Sequence, residues 1–371
     1  MQYDDEKKVI LVVDDDPNNL KLLQEILKDK YKVYASPSAY RALHFLEKRI
    51  PNLILLDIEM PEMNGYEFIQ NLKKDYRWAE IPVIFLTASE GRDKEQRAFE
   101  LGAVDYVLKP ISPSVVMARI ELHTELQSYK KDLEKMVENK TLQLLKTQDI
   151  ALELLANVTA TRDNETGAHI KRTTIFAELL VNNLMKLSHP KYIVTEDFKE
   201  NLVKSAKLHD IGKVAIPDNI LRKPGKLTAD EFNIIKQHTV FGARILDSAI
   251  GELGDDSYFL YIARQLVISH HEWWDGTGYP YGLKGEEIPL AGRIMAIADV
   301  YDALISKRPY KEPFNHDFAM DIIHRESGTH FDPVLLKLSH EVMEKFYEVA
   351  QNYKDENYEM KMLIHNKKGS Y

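Results

Sequence analysis

Residues 9–16 read V-I-L-V-V-D-D-D, an apolar run typical of a buried β-strand, followed at once by three carboxylates. Four further short apolar runs follow at residues 31–35, 53–56, 83–86 and 104–108. The stretches between them, such as residues 20–27, 40–46 and 66–72, are amphipathic and predict helices. Strands that are apolar throughout and alternate with helices are typical of a parallel sheet covered on both faces. The sequence therefore predicts a doubly wound, flavodoxin-like α/β domain with five parallel strands.

The pattern changes after residue 112. Glycine is absent from residues 112–165, and apolar residues follow a 4-3 spacing from Leu122 to Met136 that continues loosely to Leu154. This spacing predicts a long, heptad-like helix, and we favour the coiled-coil stem of a homodimer over a single helix packed on its own domain. Beyond about residue 150 the pattern predicts an all-α helical bundle. The predicted units are residues 8–122, a helical linker at 123–155, the bundle at 156–345, and a helix end with a polar tail at 346–371.

The composition excludes several classes of protein. The 371 residues include no cysteine, which excludes disulfides, thiolate zinc sites, cysteine-ligated iron–sulfur clusters and a cysteine nucleophile. The 49 basic and 58 acidic side chains give a net charge of −9, which disfavours non-specific binding to nucleic acid or anionic membranes. Neither a signal-peptide core nor a run of about 18 apolar residues is found. We expect a cytoplasmic protein that neither binds DNA nor inserts into a membrane.

Polar residues follow the ends of the predicted strands. They are Asp14 and Asp15 after the first strand, Asp57 after the third, Thr87 after the fourth and Lys109 after the fifth. Because the carboxyl ends of parallel strands meet at one edge, we expect Asp14, Asp15 and Asp57 to converge. Clustered carboxylates at such an edge suit Mg²⁺. Asp16 or Asn18 is expected to cap the first helix.

These residues, with D-I-E-M-P-E-M-N-G at residues 57–65, resemble the receiver domain of bacterial two-component response regulators over about residues 8–122. The resemblance implies that Asp57 accepts a phosphoryl group from a cognate histidine kinase. It implies Mg²⁺ ligands at Asp14, Asp15 and Asp57. It also implies that Lys109 and Thr87 contact the phosphoryl oxygens and that Tyr106 is the aromatic switch residue. The added charge of about −1.5 to −2 would reorganise this face of the domain.

The later part of the chain holds nearly all the candidate transition-metal ligands, since only two of the 13 histidines precede residue 165. Five histidines and three carboxylates stand in short motifs: Glu165, His169, His209, Asp210, His238, His270, His271 and Asp299. Eight such donors exceed the need of one tetrahedral ion. Mixed imidazole and carboxylate ligands suit iron, manganese, zinc or nickel better than Mg²⁺ or Ca²⁺. The pattern therefore predicts a centre of more than one metal ion, of the kind that hydrolyses phosphodiesters.

Three motifs in order carry a second resemblance: L-H-D-I-G-K at 208–213, H-H-E-W-W-D-G-T-G-Y-P at 270–280 and A-D-V-Y-D-A-L at 298–304. They resemble the HD-GYP domain, a subgroup of the HD phosphohydrolases, over about residues 150–345. The resemblance implies hydrolysis of cyclic di-GMP to pGpG and then to GMP. It implies that the eight donors bind metal, with Asp210 bridging. Glu165 favours a trinuclear over a binuclear centre, with iron expected and manganese as the second candidate.

The resemblance also implies residues that contact the substrate, a dianion that needs local cations. They are Lys213, Tyr279, Arg308 and Lys311. Lys213, expected one helical turn beyond His209, would stabilise or protonate the scissile phosphate ester, and Arg308 and Lys311 would contact the distal phosphate or guanine. Tyr279 would stack at the pocket mouth or serve as a turn aromatic. Asp302 would orient a metal ligand or a catalytic water.

Structural roles are expected for the other polar residues of these motifs. Surface or capping roles are expected for His189, His316, His324, His340 and His365, and a structural role for His330. Asp275 is expected to organise its glycine turn, and Arg172 to form an ion pair.

The predicted activity has alternatives. We expect Asp57 phosphorylation to gate catalysis through the long helix. The output domain could instead be a cyclic di-GMP sensor that signals through GGDEF or other proteins, or an HD phosphohydrolase for another cyclic nucleotide. A DNA-binding regulator is disfavoured by the net charge of −9 and by the lack of a basic recognition helix.

Overall fold

The computed structural model describes residues 7–88, 92–163, 167–253, 257–306 and 312–354. The chain divides into two compact units, Met1–Leu142 and Gln143–Tyr371. Among the residues described, no helix combines the length and the apolar character that crossing a bilayer requires.

The first unit contains a parallel sheet with strand order β2-β1-β3-β4-β5. Its strands are β1 (Val9–Val13), β2 (Lys32–Ser36), β3 (Leu53–Asp57), β4 (Val83–Thr87) and β5 (Asp105–Leu108). Its helices are α1 (Pro17–Leu27), α2 (Ala39–Lys48), α3 (Gly65–Lys74), α4 (Arg92–Glu100) and the first turns of α5 (Pro113–Arg162). The predicted doubly wound fold is confirmed, and every predicted strand lies within one residue of its observed bounds.

Both faces of this sheet are buried, which explains the continuous apolar runs. Alternate residues of β1 enter different clusters: Ile10 and Val12 pack on one face, Leu11 and Val13 on the other. Asp16 caps α1 by accepting a hydrogen bond from the Asn18 backbone N–H at 2.9 Å, as predicted. Because both faces of the sheet are buried, polar side chains are expected at its carboxyl edge.

The second unit is helical, as predicted. It contains the last turns of α5 and then α6 (Gly167–Leu187), α7 (Glu196–Ala206), α8 (Asp218–Leu221), α9 (Ala229–Leu253), α10 (Tyr258–Ser269), α11 (Leu290–Ile305), α12 (His316–Arg325) and α13 (Pro333–Asn352). Two 3₁₀ segments lie at Ile211–Ala215 and Gly285–Glu287. The core is centred on Phe176, Tyr301 and Phe346, whose ring centroids lie 4.3–5.2 Å apart. These aromatic contacts join α6, α11 and α13 behind the candidate site.

Helix α5 includes the whole predicted linker and continues beyond both ends of it. Many apolar side chains of the predicted heptads are exposed, including Leu126 at 61%, Tyr129 at 71% and Leu133 at 61%. Toward its end the helix becomes buried, where Ala156 and Ala160 pack against Ile170. The exposed stretch therefore carries an apolar surface that the described part of the chain leaves uncovered.

Candidate functional site

The predicted carboxylates of the first unit lie together at the carboxyl edge of the sheet. Asp14, Asp15 and Asp57 each offer an oxygen within 4.8 Å of the others. The Lys109 Nζ lies 2.9 Å from Asp14 Oδ2 and 2.8 Å from Asp57 Oδ2. Burial raises the pKa of Asp57 above its ordinary value, and Lys109 opposes this rise. Asp57 thus lies beside a fixed cation and a second acidic group, as a phosphoryl acceptor with a metal ion requires.

The two predicted switch residues lie on the neighbouring strands. Thr87 is buried at the end of β4. Tyr106 is half-buried on β5, and its ring meets that of Phe99 edge-on at 6.2 Å. Burial would lower the pKa of Lys109, but its contacts with Asp57 and Asp14 outweigh burial and raise that pKa. The lysine therefore stays charged at this edge.

In the second unit the predicted ligands form two groups that share one residue. The donor atoms within each group lie within 4.8 Å of one another. The first group is Asp210, His238, His270 and His271, and the second is His169, His209 and Asp210. The Asp299 Oδ1 lies 3.8 Å from His169 Nε2 and 4.0 Å from His209 Nε2. Asp210 is therefore the residue common to both groups, and its bridging of metal ions stays a prediction.

Three donor atoms at the centre of this cluster are buried and make no hydrogen bond to any described residue: Asp210 Oδ1, His238 Nε2 and His270 Nε2. The Asp210 Oδ1 faces His238 Nε2 at 3.2 Å and His270 Nε2 at 3.9 Å. Burying polar atoms without partners costs free energy, which ligation to a metal ion would recover. The donor set, all nitrogen and oxygen with several imidazoles, fits a transition metal.

Each of four histidines is oriented by a hydrogen bond from the ring nitrogen that points away from the cluster. Nδ1 donates to a backbone carbonyl in three of them: His209 to Ala206 O at 2.9 Å, His238 to Ile235 O at 2.8 Å and His270 to Val267 O at 3.0 Å. In His169 the Nδ1 lies 2.8 Å from Asp302 Oδ2. These bonds turn the Nε2 of each ring toward the cluster, which is how histidine ligands are oriented for metal.

Asp302 and Arg172 form a buried pair behind His169. Arg172 Nε lies 2.5 Å from Asp302 Oδ1 and its Nη2 lies 2.9 Å from Asp302 Oδ2. Burial would raise the pKa of Asp302, but the hydrogen bonds from His169 and Arg172 outweigh it and lower that pKa to about 2. Asp302 thus orients a predicted ligand, and Arg172 forms the ion pair expected of it.

The charge states in the cluster suit metal binding. Burial lowers the pKa of His270 to about 3 and that of His271 well below its ordinary value, so both rings are neutral at pH 7. Burial alone would raise the pKa of Asp210, but Lys213 and His209 outweigh it, so the carboxylate is ionised. Burial lowers the pKa of His209, but the charge and hydrogen bond of Asp210, together with the charge of Asp299, outweigh burial and raise that pKa. The neutral His270 and His271 rings beside the ionised Asp210 are the forms that bind metal.

Lys213 does reach the cluster, but the prediction that it lies on an α-helix with His209 is wrong. Helix α7 ends at Ala206, and Lys213 lies in the 3₁₀ segment Ile211–Ala215. Residues three apart eclipse each other in such a segment, which places the Lys213 Nζ 2.8 Å from Asp210 Oδ2. The same ammonium pairs with Asp163 at the end of α5. Sequence reasoning missed Asp163, which lies 50 residues from its partner.

Two glycines let the chain approach the cluster closely. A Cβ on Gly212 would lie 1.8 Å from the His238 carbonyl oxygen, so only glycine allows the segment after Asp210 to pack on α9. A Cβ on Gly278 would lie 2.2 Å from the Trp273 backbone nitrogen. This tight loop brings the Tyr279 ring to 4.8 Å from the His271 ring. Tyr279 is therefore part of the site wall rather than a turn aromatic.

The structural roles expected for Asp275 and His330 are confirmed, and the surface role expected for His316 is wrong. Asp275 accepts a hydrogen bond from the Thr277 backbone at 2.9 Å, as predicted for its turn. His330 is structural as expected, because it stacks on Trp273 at 4.3 Å and bonds Glu326 at 3.0 Å. The surface role for His316 is wrong, since its Nδ1 lies 2.7 Å from the hydroxyl of the buried Tyr301.

Three further histidines were expected to have surface or capping roles. His324 and His340 are on or near the surface and bond each other at 3.2 Å. His189 accepts a hydrogen bond from the Lys191 backbone at 3.3 Å, a local capping contact. Glu165, Arg308, Lys311 and His365 lie outside the described residues.

Sequence reasoning also missed Glu272, which is buried beside the two paired histidines. Its carboxylate accepts hydrogen bonds from the backbone N–H groups of Tyr281 at 2.8 Å and Leu283 at 3.0 Å. It thereby ties the loop carrying Tyr279 to the end of α10. Its position directly after His271 was the signal available in the sequence.

The geometry agrees with comparisons to known proteins. The family model described as an HD domain matches residues 133–335, and the response regulator receiver domain model matches residues 10–121. A Vibrio cholerae serotype O1 protein named "Probable cyclic di-GMP phosphodiesterase" is 42% identical over 356 residues, 94% of this chain and 80% of the relative. The "Cyclic di-GMP phosphodiesterase response regulator RpfG" of Xanthomonas campestris pv. campestris is 36% identical over 334 residues, 87% of this chain and 85% of the relative.

A third relative carries a different name. The "3'3'-cGAMP-specific phosphodiesterase 2" of Vibrio cholerae serotype O1 is 38% identical over 217 residues, 58% of this chain and 39% of the relative. The HD domain model spans more than half of the chain and the receiver model precedes it. The chain therefore belongs to the HD domain family, as a response regulator in which a receiver domain is followed by an HD domain.

Proposed function

We propose that the HD domain of this response regulator hydrolyses cyclic di-GMP to pGpG and then to GMP, under the control of Asp57 phosphorylation. The observation that carries the proposal is the position of Asp210, which two groups of donors share, with the buried Asp210 Oδ1, His238 Nε2 and His270 Nε2 making no hydrogen bond to a described residue. The names of the two relatives that align with most of this chain support the substrate.

The metal ions are proposed to lie on either side of Asp210. Two histidine groups, with Asp299 beside the second, would hold two ions, and Glu165 would supply a ligand for a third. The resemblance to the HD-GYP domain leads us to propose iron, with manganese as the second candidate, and the imidazole and carboxylate donors suit either metal. Such ions stabilise the attacking and leaving oxygens and lower the pKa of water toward neutrality.

The protein groups have distinct roles in this proposal. Lys213, held by Asp163 and Asp210, lies where it can stabilise charge on the scissile phosphate or protonate the leaving oxygen. Asp302 acts through His169 by fixing its ring orientation. Arg308 and Lys311 are proposed to bind the distal phosphate or guanine, and Tyr279 to contact the substrate beside His271.

The receiver domain is proposed to take its phosphoryl group from a histidine kinase, with Mg²⁺ held by Asp14, Asp15 and Asp57. The carboxylate of Asp57 would attack the phosphorus, forming an acyl phosphate while the donor group leaves. Lys109 would neutralise the added charge, and Thr87 with Tyr106 would respond to it. The kinase and the dinucleotide both point to a cytoplasmic location as part of this proposal.

Helix α5 offers a route from phosphorylation to catalysis. Arg162, in its last turn, donates to the Ile216 carbonyl at 3.2 Å and pairs with Asp218 at 2.8 Å. In return, Arg222 donates to the carbonyls of Arg162 and Thr161, each at 2.7 Å. These reciprocal contacts fasten the helix end to the segment that follows Asp210. We propose that movement of α5 changes the position of Lys213 and Asp210.

A homodimer through α5 is part of the same proposal. The exposed apolar side chains at predicted heptad positions support it, because a second copy of the helix would cover them. Size-exclusion chromatography with light scattering would test this, and a monomer at micromolar concentration would contradict it. GGDEF proteins are further candidate partners.

The decisive experiment uses full-length protein purified without oxygen. Metal content, cyclic di-GMP turnover and products are measured on one sample, with Asp210→Asn as the inactive control. Turnover that requires iron or manganese supports the proposal. A fully loaded protein that binds cyclic di-GMP without turnover would instead be a sensor. The same assay with 3'3'-cGAMP tests the second candidate substrate, suggested by the name of the third relative.

Control by the receiver domain has its own test. Turnover is compared with and without a phosphodonor in the wild type and in Asp57→Ala. A change in rate that occurs only in the wild type supports coupling. Equal rates in all four states would remove it.

A further inference from the structure

We infer that Phe232, Lys236 and Tyr279 form a nucleotide subsite beside the metal centre, in which Lys236 joins the Arg308 and Lys311 proposed above in binding the phosphate that is not being hydrolysed, and Phe232 stacks on a guanine. This inference rests on the proposed function, because its ligand is cyclic di-GMP. Phe232 and Lys236 are one turn apart on α9 and so share a face. The Lys236 Nζ lies 4.8 Å from the Phe232 ring centroid and 5.5 Å from that of Tyr279.

The three side chains are continuous with the predicted ligands. The Phe232 ring meets the Tyr279 ring edge-on at 6.4 Å. The Tyr279 ring in turn lies 4.8 Å from His271 and 6.5 Å from His238. A molecule bound to the metal ions at these histidines therefore has Tyr279 as its next neighbour, with Lys236 and Phe232 beyond.

Lys236 and Lys213 differ in their surroundings, because Lys213 is paired with carboxylates and Lys236 lies against aromatic rings. Lys213 contacts the carboxylates of both Asp163 and Asp210. For Lys236, by contrast, the described part of the chain provides no carboxylate oxygen within the 4.0 Å of a salt bridge. Its ammonium rests on two aromatic rings, which hold a cation in place without cancelling its charge.

The chemistry of the substrate matches this arrangement. Cyclic di-GMP carries two phosphates, so binding one at the metal ions leaves the other to be neutralised by the protein. A lysine is a strong donor to phosphate oxygens. Phe232 is 45% exposed, so a base can approach its ring, and base stacking is tolerant of base identity. The chain has a net charge of −9, so an unpaired cation near the centre would matter for attracting a dianion.

The test compares Lys236→Gln, Lys236→Arg and Phe232→Ala in the full-length, metal-loaded protein. For Lys236→Gln we expect the KM and the calorimetric Kd for cyclic di-GMP to rise about tenfold, as for loss of one charged hydrogen bond, with little change in kcat. Lys236→Arg should restore most of the affinity. Phe232→Ala should raise the KM by about tenfold through lost stacking. Lys337→Gln removes the same charge from an exposed position on α13 and should change nothing.

A second substrate distinguishes failure of this inference from failure of the proposed function. Bis(p-nitrophenyl) phosphate has one phosphate and no guanine, so the effect of Lys236→Gln on it should be several-fold smaller. Unchanged KM and Kd for cyclic di-GMP in Lys236→Gln would overturn the inference alone. An equal loss of kcat on both substrates would also overturn it, since Lys236 would then act on the centre itself. A wild type that hydrolyses bis(p-nitrophenyl) phosphate but neither binds nor hydrolyses cyclic di-GMP would overturn the proposed function as well.

Discussion

Replacement of Asp302 by asparagine tests how strongly the predicted metal centre depends on the buried residues behind His169. The side chain keeps its size but loses the charge that faces His169 Nδ1 at 2.8 Å and the Arg172 guanidinium at 2.5 and 2.9 Å. His169 then keeps at most a neutral amide as the partner that fixes its ring with Nε2 toward the cluster. Arg172 is left buried with a neutral partner.

The size of both effects follows from these contacts. Removing the outer partner of a histidine ligand lowers metal affinity about 10–100-fold in comparable sites. Breaking one partner of a buried ion pair costs about 3–5 kcal/mol. The carboxylate is held ionised, since its pKa falls to about 2, so the charge removed is a full one. We therefore expect weaker metal binding together with a lower free energy of unfolding.

The assay is metal retention during dialysis against a graded series of chelator concentrations, with a denaturant titration on the same samples. Asp332→Asn is the matched control, because Asp332 is equally buried and pairs with Arg293 at 2.8 Å and Tyr192 at 2.9 Å instead of a histidine. It should lose stability and keep wild-type metal affinity. Wild-type metal retention in Asp302→Asn, or equal metal loss in both variants, would refute the reasoning.

Three further predictions concern other parts of the molecule. Gly212→Ala should abolish activity and lower the free energy of unfolding, because its Cβ would overlap the α9 backbone. Gly251→Ala is the control and should be tolerated, because nothing lies close to its Cβ. Equal activity of the two purified variants would contradict this prediction. Chelator should lower the melting temperature of the wild type, since an ion present at 100 times its Kd contributes about 2.7 kcal/mol; an unchanged melting curve would argue against a metal centre. Asp57→Asn should abolish labelling by a small phosphodonor, and Asp16→Asn, which retains a good helix cap, should not; labelled Asp57→Asn would place the acceptor elsewhere.

Much of the fold follows from local pattern. The five strands could be predicted because a parallel sheet buried on both faces needs runs such as residues 9–13 that are apolar throughout. The edge cluster of Asp14 and Asp57 followed from the same topology, since all strands end on one side. The histidines and aspartates that converge in the second unit were selected from the sequence because their residue types and motifs are typical of metal sites, and their role as ligands stays a prediction.

The contacts that support the site were not predictable in this way. The Lys213–Asp163 pair and the Lys236–Tyr279 contact join residues far apart in sequence, and nothing in either local pattern specifies the partner. The 3₁₀ geometry at Lys213 depends on Gly212 packing against α9, a tertiary contact that overrides the helical periodicity. His316 was expected at the surface because it is the first residue of α12, and the local sequence does not indicate its contact with Tyr301.

The hydrogen bonds behind the histidines have a consequence for how this centre can change by mutation. For His209, His238 and His270 the Nδ1 partner is a main-chain carbonyl, so no side-chain substitution can delete it while the local turn persists. Among the four predicted ligand histidines whose Nδ1 partners are described, His169 alone depends on another residue's side chain. Genetic variation outside the ligands can therefore adjust the properties of the metal centre chiefly through the His169 position. The orientations of the other three rings are insensitive to side-chain substitutions, because backbone carbonyls fix them.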